Sequence, residues 1–270
     1  MADFFPGRAD GQPGLALFLN AGDPPLEVLV DVLVALDALG VDCVELAVPF
    51  PDSVTDGPVI RRSAARALAG GVGLPETLAF VARTRQLLRR TRIALLADWR
   101  FSLKDGAPDE LARRVADSGV DGLLVHGLPP RLRPAWQAAV EAVGLPVVGT
   151  CYQGVSTPQT MAMAARQATA YLYLVAHYGR SGTRASNGFA SLAATITSLR
   201  GLTNAPIAVG FGVTSRADVA AVAAAGADAA IVGSATVATV ERSLANRSDV
   251  AAEISEFVCS LQQPAPATNS

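Results

Sequence analysis

The sequence predicts a single-domain α/β fold, a closed (β/α)8 TIM barrel over residues 1–262. Eight short apolar runs of the kind that form strands recur along the chain. Segments with helical periodicity separate these runs, so strand and helix alternate throughout. Apolar strands covered by amphipathic helices are typical of a parallel sheet that is buried on both faces. Eight such units within 270 residues fit the barrel.

The predicted strands can be placed in order from these apolar runs. They cover residues 15–19, 43–48, 93–97, 122–125, 147–150, 171–175, 207–209 and 229–232. Two helix starts are indicated by an N-cap residue followed by proline, Asp23 with Pro24 and Thr157 with Pro158. A tail rich in Pro, Ala, Thr, Asn and Ser at 263–270 predicts disorder.

A weak internal repeat marks three of the helix-to-strand turns. Gly-Val-Asp occurs at 40–42 and at 119–121, and Gly-Ala-Asp occurs at 226–228. Glycine adopts a left-handed conformation at little cost, and such a residue commonly ends a helix. We therefore expect each triplet to end one helix and lead into the next strand.

Composition excludes several classes of protein. A net charge of -2 and a pI near 5.7 argue against nucleic acid as the main partner. No apolar run is long enough to span a bilayer, and the N-terminus does not read as a signal peptide, so we expect a cytoplasmic protein. The three cysteines are far apart and form no zinc-binding pattern.

Glycine-rich loops follow the last strands of the predicted barrel. Gly210 and Gly212 follow strand 7, Gly233 and Ser234 follow strand 8, and Gly182 lies in a loop after strand 6. Loops after strands 7 and 8 commonly bind phosphate in such barrels, because backbone N–H groups and a helix N-terminus meet the anion there. These residues predict a phosphate site.

One carboxylate stands within an otherwise apolar strand. Glu45 lies between Val44 and Leu46, so strand alternation places its side chain on the opposite face from theirs. If that face is the barrel interior, burial raises the pKa of Glu45 and suits it to general acid/base work. A salt bridge to a basic residue is the alternative that the pattern leaves open.

The residues around Glu45 carry a family resemblance. The run ELAVPFPD at 45–52, followed by TDGP at 55–58, closely resembles the tryptophan synthase α-subunit signature L-E-L-G-V-P-F-S-D-P-x-A-D-G-P. The resemblance covers nearly the whole barrel. It continues in Gly-Asp-Pro at 22–24, Tyr-Leu-Tyr at 171–173, Gly-Phe-Gly at 210–212 and Val-Gly-Ser-Ala at 232–235.

The resemblance implies a lyase that needs no cofactor. Members of this family cleave indole-3-glycerol phosphate by a retro-aldol reaction into indole and glyceraldehyde 3-phosphate. Glu45 resembles the general acid/base, Asp56 the carboxylate that holds the indole N–H, and Tyr173 the tyrosine beside the scissile bond. The phosphate cradle of the family corresponds to Gly182, Gly210, Gly212, Gly233 and Ser234, and Phe211 falls at the substrate pocket.

The sequence departs from the family pattern at the catalytic face. Asp98, Trp99 and Arg100 replace an aromatic residue followed by alanine and asparagine, and His126 stands at the alanine of an Ala-Asp-x-Pro pattern. Ser53 replaces a proline. In the family, the loops after strands 2 and 3 contact the β-subunit, so these changes put that partnership in doubt.

Three alternatives to a conventional α-subunit follow from these departures. The first is a stand-alone lyase that releases free indole. The second is the same chemistry on a substituted indole, since Asp98 and His126 fall in the substrate pocket. The third is a catalytically silent partner of a β-like subunit, which retention of Glu45, Asp56 and Tyr173 argues against.

Other aldolase mechanisms are disfavoured. Lys104 is the only lysine and lies in a polar loop after strand 3, away from the place that a Schiff base requires. His126 and His177 could form a metal site with Glu45 and Asp98, but the family resemblance accounts for Glu45 without a metal, so we predict none.

Overall fold

The computed structural model describes residues 3–6, 12–176 and 189–262. Eight parallel strands form a nearly closed barrel in the order β4-β3-β2-β1-β8-β7-β6-β5, which confirms the predicted fold class. The strands are β1 (Gly14–Asn20), β2 (Cys43–Ala47), β3 (Arg92–Asp98), β4 (Gly122–His126), β5 (Gly149–Tyr152), β6 (Leu172–Val175), β7 (Ile207–Gly210) and β8 (Ala229–Val232).

Helices surround the barrel and connect successive strands. They are α1 (Leu26–Ala38), α2 (Pro58–Ala69), α3 (Leu74–Thr84), α4 (Pro108–Asp117), α5 (Arg133–Ala142), α6 (Pro158–Gln167), α7 (Ala193–Arg200), α8 (Arg216–Ala224), α9 (Ser234–Asn246) and α10 (Val250–Gln262). Their buried apolar faces pack against the outward side chains of the strands and form the larger hydrophobic core.

The two end strands of the sheet, β4 and β5, meet at a narrow seam. Leu123 and Val147 form an isolated parallel bridge there, with Leu123 N–H donating to Pro146 O at 2.9 Å and Val148 N–H to Leu123 O at 2.9 Å. The sequence placed strand 5 at 147–150, whereas β5 begins at Gly149. The carbonyl of Val147 is taken instead by the N–H groups of Thr169 and Ala170.

Two phenylalanines fill the bottom of the barrel. Phe4 and Phe5 are buried, and each lies with its ring centroid 5.3 Å from that of Tyr171. Glycine makes the room: a Cβ on Gly14 would lie 2.7 Å from Phe5, and one on Gly122 would lie 2.9 Å from Phe4. The inner core around these rings is otherwise lined mainly by small residues, Ala16, Cys43, Ala94, Ala170, Ala208 and Ala229.

The repeated glycine triplets share one structural role. Gly40, Gly119 and Gly226 have φ values of 71°, 82° and 91°, as a left-handed helix end requires. The aspartate of each triplet then accepts a hydrogen bond from the backbone N–H at or near the start of the preceding barrel strand. Asp42 accepts from Leu15, Asp121 from Ile93 and Asp228 from Ile207, at 2.8, 2.8 and 2.6 Å.

The two predicted helix starts have different outcomes. Thr157 caps α6, accepting from Thr160 N at 3.2 Å, as predicted. The prediction for Asp23 is wrong: α1 begins at Leu26 after Pro25. The buried carboxylate of Asp23 instead accepts two hydrogen bonds of 2.8 Å from the Arg66 guanidinium of α2, so it is not available to cap α1.

Every helix and strand of the described ranges belongs to this one barrel and its surrounding layer. Within those ranges, no helix has the length and apolar character needed to cross a bilayer. The tail at 263–270 lies outside the described residues, so the boundary at residue 262 stays a prediction.

Candidate active site

A cavity of about 790 Å³ opens at the carboxyl ends of the strands. Every strand except β7 contributes inward-facing residues to its lining, because alternate side chains of a barrel strand point into the barrel. The sequence-predicted residues Glu45, Asp56, Tyr173, Phe211, Gly212, Gly233 and Ser234 all line it, as do Asp98 and His126. The fold thus brings together side chains that are up to 189 positions apart in the chain.

Glu45 is the most deeply buried carboxylate of the cavity, with 1% of its surface exposed. Its Oε1 accepts a hydrogen bond of 2.6 Å from the hydroxyl of Tyr171. Desolvation raises the pKa of Glu45 from 4.5 to about 7, although the Tyr171 hydroxyl acts in the opposite direction. Of the two readings that the sequence left open, the structure supports a desolvated acid rather than a salt bridge.

Asp56 lies in the loop between β2 and α2. Its backbone N–H donates to Ser53 Oγ at 3.2 Å, which holds the loop in a turn over the cavity. Burial raises the pKa of Asp56, while the hydrogen bond with Ser53 and the charges of His126 and Arg61 act to lower it. A carboxylate in this state gains from any N–H group that a ligand presents to it.

Tyr173 faces the cavity from β6, and its position depends on Gly210. A Cβ on Gly210 would lie 2.6 Å from the Tyr173 hydroxyl and 2.9 Å from its ring. Burial raises the pKa of Tyr173 well above its ordinary value, so the phenol stays neutral and can donate a hydrogen bond. Gly210 is not among the cavity-lining residues, and its predicted contact with phosphate stays a prediction.

The opposite rim carries backbone suited to an anion. Gly212, Gly233 and Ser234 line the cavity, and α9 begins at Ser234 with Gly233 as its N-cap residue. The unpaired N–H groups of a helix N-terminus and its dipole favour a bound anion. Phe211 holds a positive φ of 76°, which is uncommon for a residue with a side chain. Gly182, which the sequence placed in this cradle, lies outside the described residues.

Polar side chains of β3, β4 and β5 line one part of the cavity. Asp98 and His126 are the last residues of β3 and β4, Thr150 is the second residue of β5, and we refer to these three residues as the polar row. Leu96 and Leu124 lie one inward position below on β3 and β4. The ring-binding part of the cavity therefore has an apolar floor and a polar upper edge.

The loops after β2 and β3 are packed against each other. Trp99–Leu103 form one turn of π-helix, capped by the Asp98 carboxylate, which accepts from Phe101 N at 3.1 Å. The Phe101 ring stacks on Phe50 with centroids 5.4 Å apart. The sequence analysis interpreted part of this segment as a polar loop and did not predict the π-helical turn.

Lys104 follows the π-helical turn and is exposed, with Asp105 3.7 Å away. It does not line the cavity, in agreement with the prediction that it lies in a loop away from the reacting centre. Within the described residues, no group of three His, Cys, Asp or Glu side chains lies close enough to hold a metal ion. His177, which the alternative metal site required, lies outside those residues.

Sequence reasoning missed three features in the cavity or directly beneath it. Tyr171 was noted only as part of the family motif, and no pattern within its own strand shows that it reaches Glu45 on β2. Thr150 Oγ1 and Arg61 Nε are buried without a hydrogen-bond partner in the described part of the chain, and both residues line the cavity. Alternation along the predicted strand puts Val148 and Thr150 on one face, but it does not show which face points into the barrel.

Comparison with known proteins identifies the family. The family model described as tryptophan synthase alpha chain matches residues 5–266. The chain belongs to this family. A tryptophan synthase alpha chain of Ralstonia nicotianae is 34% identical over 94% of both chains, and one of Burkholderia mallei is 36% identical over 94% of this chain and 92% of its own.

Solved structures of the tryptophan synthase alpha family have the same fold. A mutant alpha-subunit from Pyrococcus furiosus superposes with a TM-score of 0.80 at 27% identity, covering 93% of this chain and 98% of its own. The alpha subunit of Legionella pneumophila gives a TM-score of 0.81 at 26% identity, covering 94% and 92%. The resemblance found in the sequence is confirmed.

Proposed function

We propose that the protein cleaves indole-3-glycerol phosphate into indole and glyceraldehyde 3-phosphate. The observation that carries the proposal is a desolvated Glu45 in the same cavity as Asp56, Tyr173 and the backbone rim at Gly212, Gly233 and Ser234. Membership of the tryptophan synthase alpha family supports the same reaction.

Glu45 supplies the proton for the first step. A carboxyl group with a pKa of about 7 is partly protonated at neutral pH and can both donate and accept a proton. It donates to C3 of the indole ring, which becomes an indolenine with positive charge on its nitrogen. Asp56 accepts a hydrogen bond from the N–H group and stabilises this charge.

The carbon–carbon bond breaks in the second step. The Glu45 carboxylate takes the proton of the hydroxyl group on the carbon attached to C3, and that carbon becomes the aldehyde. The electrons of the broken bond return to the ring and neutralise its nitrogen, so the ring itself serves as the electron sink. Proton balance is complete, because Glu45 has donated one proton and regained one. The neutral Tyr173 phenol lies beside this bond and can donate a hydrogen bond to the forming carbonyl.

The phosphate fixes the position of the substrate. The rim at Gly212, Gly233 and Ser234 offers backbone N–H groups at the start of α9, and no lysine or arginine side chain is needed at this point. Binding the remote phosphate orients the reacting carbon at Glu45, which lowers the entropic part of the barrier.

The test measures the rate of indole release from indole-3-glycerol phosphate by the purified wild-type protein and by Glu45→Gln. Glu27→Gln, which changes an exposed glutamate of α1, is the control. We expect turnover that falls at least about 100-fold in Glu45→Gln and is unchanged in Glu27→Gln. Equal activity in Glu45→Gln and wild type would overturn the assignment of Glu45.

We further propose that the enzyme works without a β-subunit and releases free indole. The loops that would meet such a partner depart from the family pattern at Ser53 and at Asp98–Arg100. In this structure the two loops are packed together, since Asp98 caps a π-helical turn and Phe101 stacks on Phe50. Mixing with a bacterial tryptophan synthase β-subunit should give no complex on size-exclusion chromatography and no increase in indole release. A shared elution peak with raised activity would make it a conventional α-subunit.

Two remaining expectations belong to the same proposal. Retention of an acid with a raised pKa favours an active enzyme over a silent partner, and the indole assay separates the two. A biosynthetic family suggests action in the cytoplasm, which cell fractionation would test.

A further inference from the structure

The polar row lies across the cavity from the phosphate rim. In the strand order, β4 is four strands away from β8, which is the opposite side of an eight-stranded barrel. A substrate with its phosphate at Gly233 and Ser234 therefore extends its aromatic ring toward β3, β4 and β5. Asp98, His126 and Thr150 are the side chains that the far edge of such a ring meets.

Strand register places these three residues side by side. Asp98 and His126 are direct neighbours in the pairing of β3 with β4. Continued at the offset of the bridge between Leu123 and Val147, the register aligns His126 with Thr150. All three residues line the same cavity, with the apolar Leu96 and Leu124 beneath Asp98 and His126.

Two members of the row have unused hydrogen-bonding capacity. Thr150 Oγ1 is closed to water and has no partner in the described ranges. The His126 side chain lines the cavity and makes no hydrogen bond to a described residue, and an imidazole can take part in hydrogen bonds through both ring nitrogens. One carboxylate oxygen of Asp98 already accepts a hydrogen bond, from the backbone N–H of Phe101. Leaving a buried hydroxyl unpaired costs roughly 1–3 kcal/mol, so a ligand group that pairs with it gains affinity.

We propose that the polar row selects a substrate whose benzo ring carries a hydroxyl group. A neutral hydroxyl both donates and accepts, which matches His126 and the Thr150 hydroxyl, whereas an anionic substituent would be repelled by Asp98. Rotation of Thr150 about its Cα–Cβ bond is sufficient to turn its hydroxyl toward such a group. This inference rests on the proposed lyase function and narrows its substrate.

Isothermal titration calorimetry measures how tightly the cavity binds the ring, without any cleavage. The ligands are indole and the indoles that carry one hydroxyl group at each benzo carbon in turn. We expect one hydroxylated isomer to bind about tenfold more tightly than indole. Thr150→Val, which removes the hydroxyl and preserves the shape, should abolish most of that preference. Thr197→Val on the exposed face of α7 is the matched control and should retain it. Equal affinity for indole and every isomer would overturn the proposal.

Cleavage assays with the corresponding hydroxylated indole-3-glycerol phosphates complete the test. The ratio of kcat/KM between the preferred hydroxylated substrate and the parent should exceed about tenfold and should fall in both Thr150→Val and His126→Ala. Efficient cleavage of the parent with poor cleavage of every hydroxylated form would overturn this inference and leave the lyase function standing. Absence of cleavage of all of them would overturn both.

Discussion

The pKa of one buried carboxyl group links catalysis to stability in this protein. Glu45 is surrounded by barrel side chains, and its described hydrogen-bond partner is the Tyr171 hydroxyl. Desolvation favours the protonated form, so the folded chain binds this proton more tightly than the unfolded chain does. The same effect that prepares the acid for catalysis therefore weakens the fold at alkaline pH.

Glu45→Gln should remove this pH dependence. The pKa of Glu45 rises from 4.5 to about 7 on folding, so its stabilising contribution is complete below about pH 4.5 and is lost as the pH rises to about 7. By that pH the wild type should have lost about 3 kcal/mol relative to Glu45→Gln. Urea unfolding of both proteins across this range measures the difference, and a difference that stays constant with pH would contradict the prediction.

Tyr171→Phe should shift the pH profile of the reaction. The Tyr171 hydroxyl stabilises the Glu45 carboxylate, so its loss raises the pKa of Glu45 further. The fall of kcat on the alkaline side should therefore move to higher pH, whereas a merely structural role for Tyr171 would lower kcat without moving that limb. Steady-state rates across the pH range separate the two outcomes.

At the scale of elements, strand β7 shapes the site through a residue that has no side chain. The space that Gly210 leaves is filled by the ring and hydroxyl of Tyr173 on neighbouring β6. The two strands pair with Tyr173 beside Ala208 and Val175 beside Gly210, so the ring crosses the surface of β7. A glycine at the end of a barrel strand can thus leave room for a tyrosine ring, in addition to letting backbone N–H groups come close to an anion.

Gly210→Ala should lower activity with little effect on folding. The added Cβ would lie 2.6 Å from the Tyr173 hydroxyl, so the ring must move away from the reacting carbon. We expect kcat to fall at least about tenfold, with a Tm within a few degrees of wild type. Gly201→Ala is the matched control, since its nearest contact would be an ordinary 3.6 Å. A loss of activity in both variants would argue against this mechanism.

The elements differ in how well the sequence predicts them. Apolar runs located β8 completely and the other strands to within a few residues, because barrel strands are buried on both faces. The π-helical turn after β3 was missed, since it depends on the Asp98 cap and on Phe101 stacking against Phe50, which lies in another loop. Asp23 was misread because Arg66, its partner, lies 43 positions away.

In the candidate site as well, local sequence patterns predicted some features and missed others. Alternation along β2 separated the side chain of Glu45 from those of Val44 and Leu46 without fixing which face is the barrel interior, and the glycine loops pointed to the rim of the cavity. The bond from Tyr171 to Glu45 joins residues 126 positions apart, and no local pattern contains it. Contacts made by closing the barrel are a property of the whole sheet rather than of any segment.

The whole molecule is closed by different interactions on its two sides. Between α2 and α9, Arg66 pairs with Glu241 and Asp23, and Arg62 pairs with Glu241, joining the first and last parts of the chain. Hydrogen bonds from Arg62 and then Arg66, together with their positive charges, lower the pKa of Glu241 to about 2. On the far side, β4 and β5 are joined within the described residues by the bridge between Leu123 and Val147 and its two backbone hydrogen bonds.

Phe4→Ala should destabilise the whole barrel. Phe4 is fully buried against Tyr171 and beside Gly122, so its loss leaves a cavity at the bottom of the molecule. We expect the free energy of unfolding to fall by about 3–5 kcal/mol. Phe101→Ala removes the same side chain from an exposed loop and should cost about 1 kcal/mol or less. Chemical denaturation measures both, and equal losses would show that the phenylalanine at the bottom is not a core residue.

The position of Phe4 and Phe5 also has a consequence for synthesis on the ribosome. These residues leave the ribosome long before Ala229 and Ile231, which belong to the pocket that receives them. Phe4 and Phe5 therefore cannot be fully buried until β8 has been synthesised. For this barrel, burial of the N-terminal aromatic rings reports the completion of folding rather than its beginning.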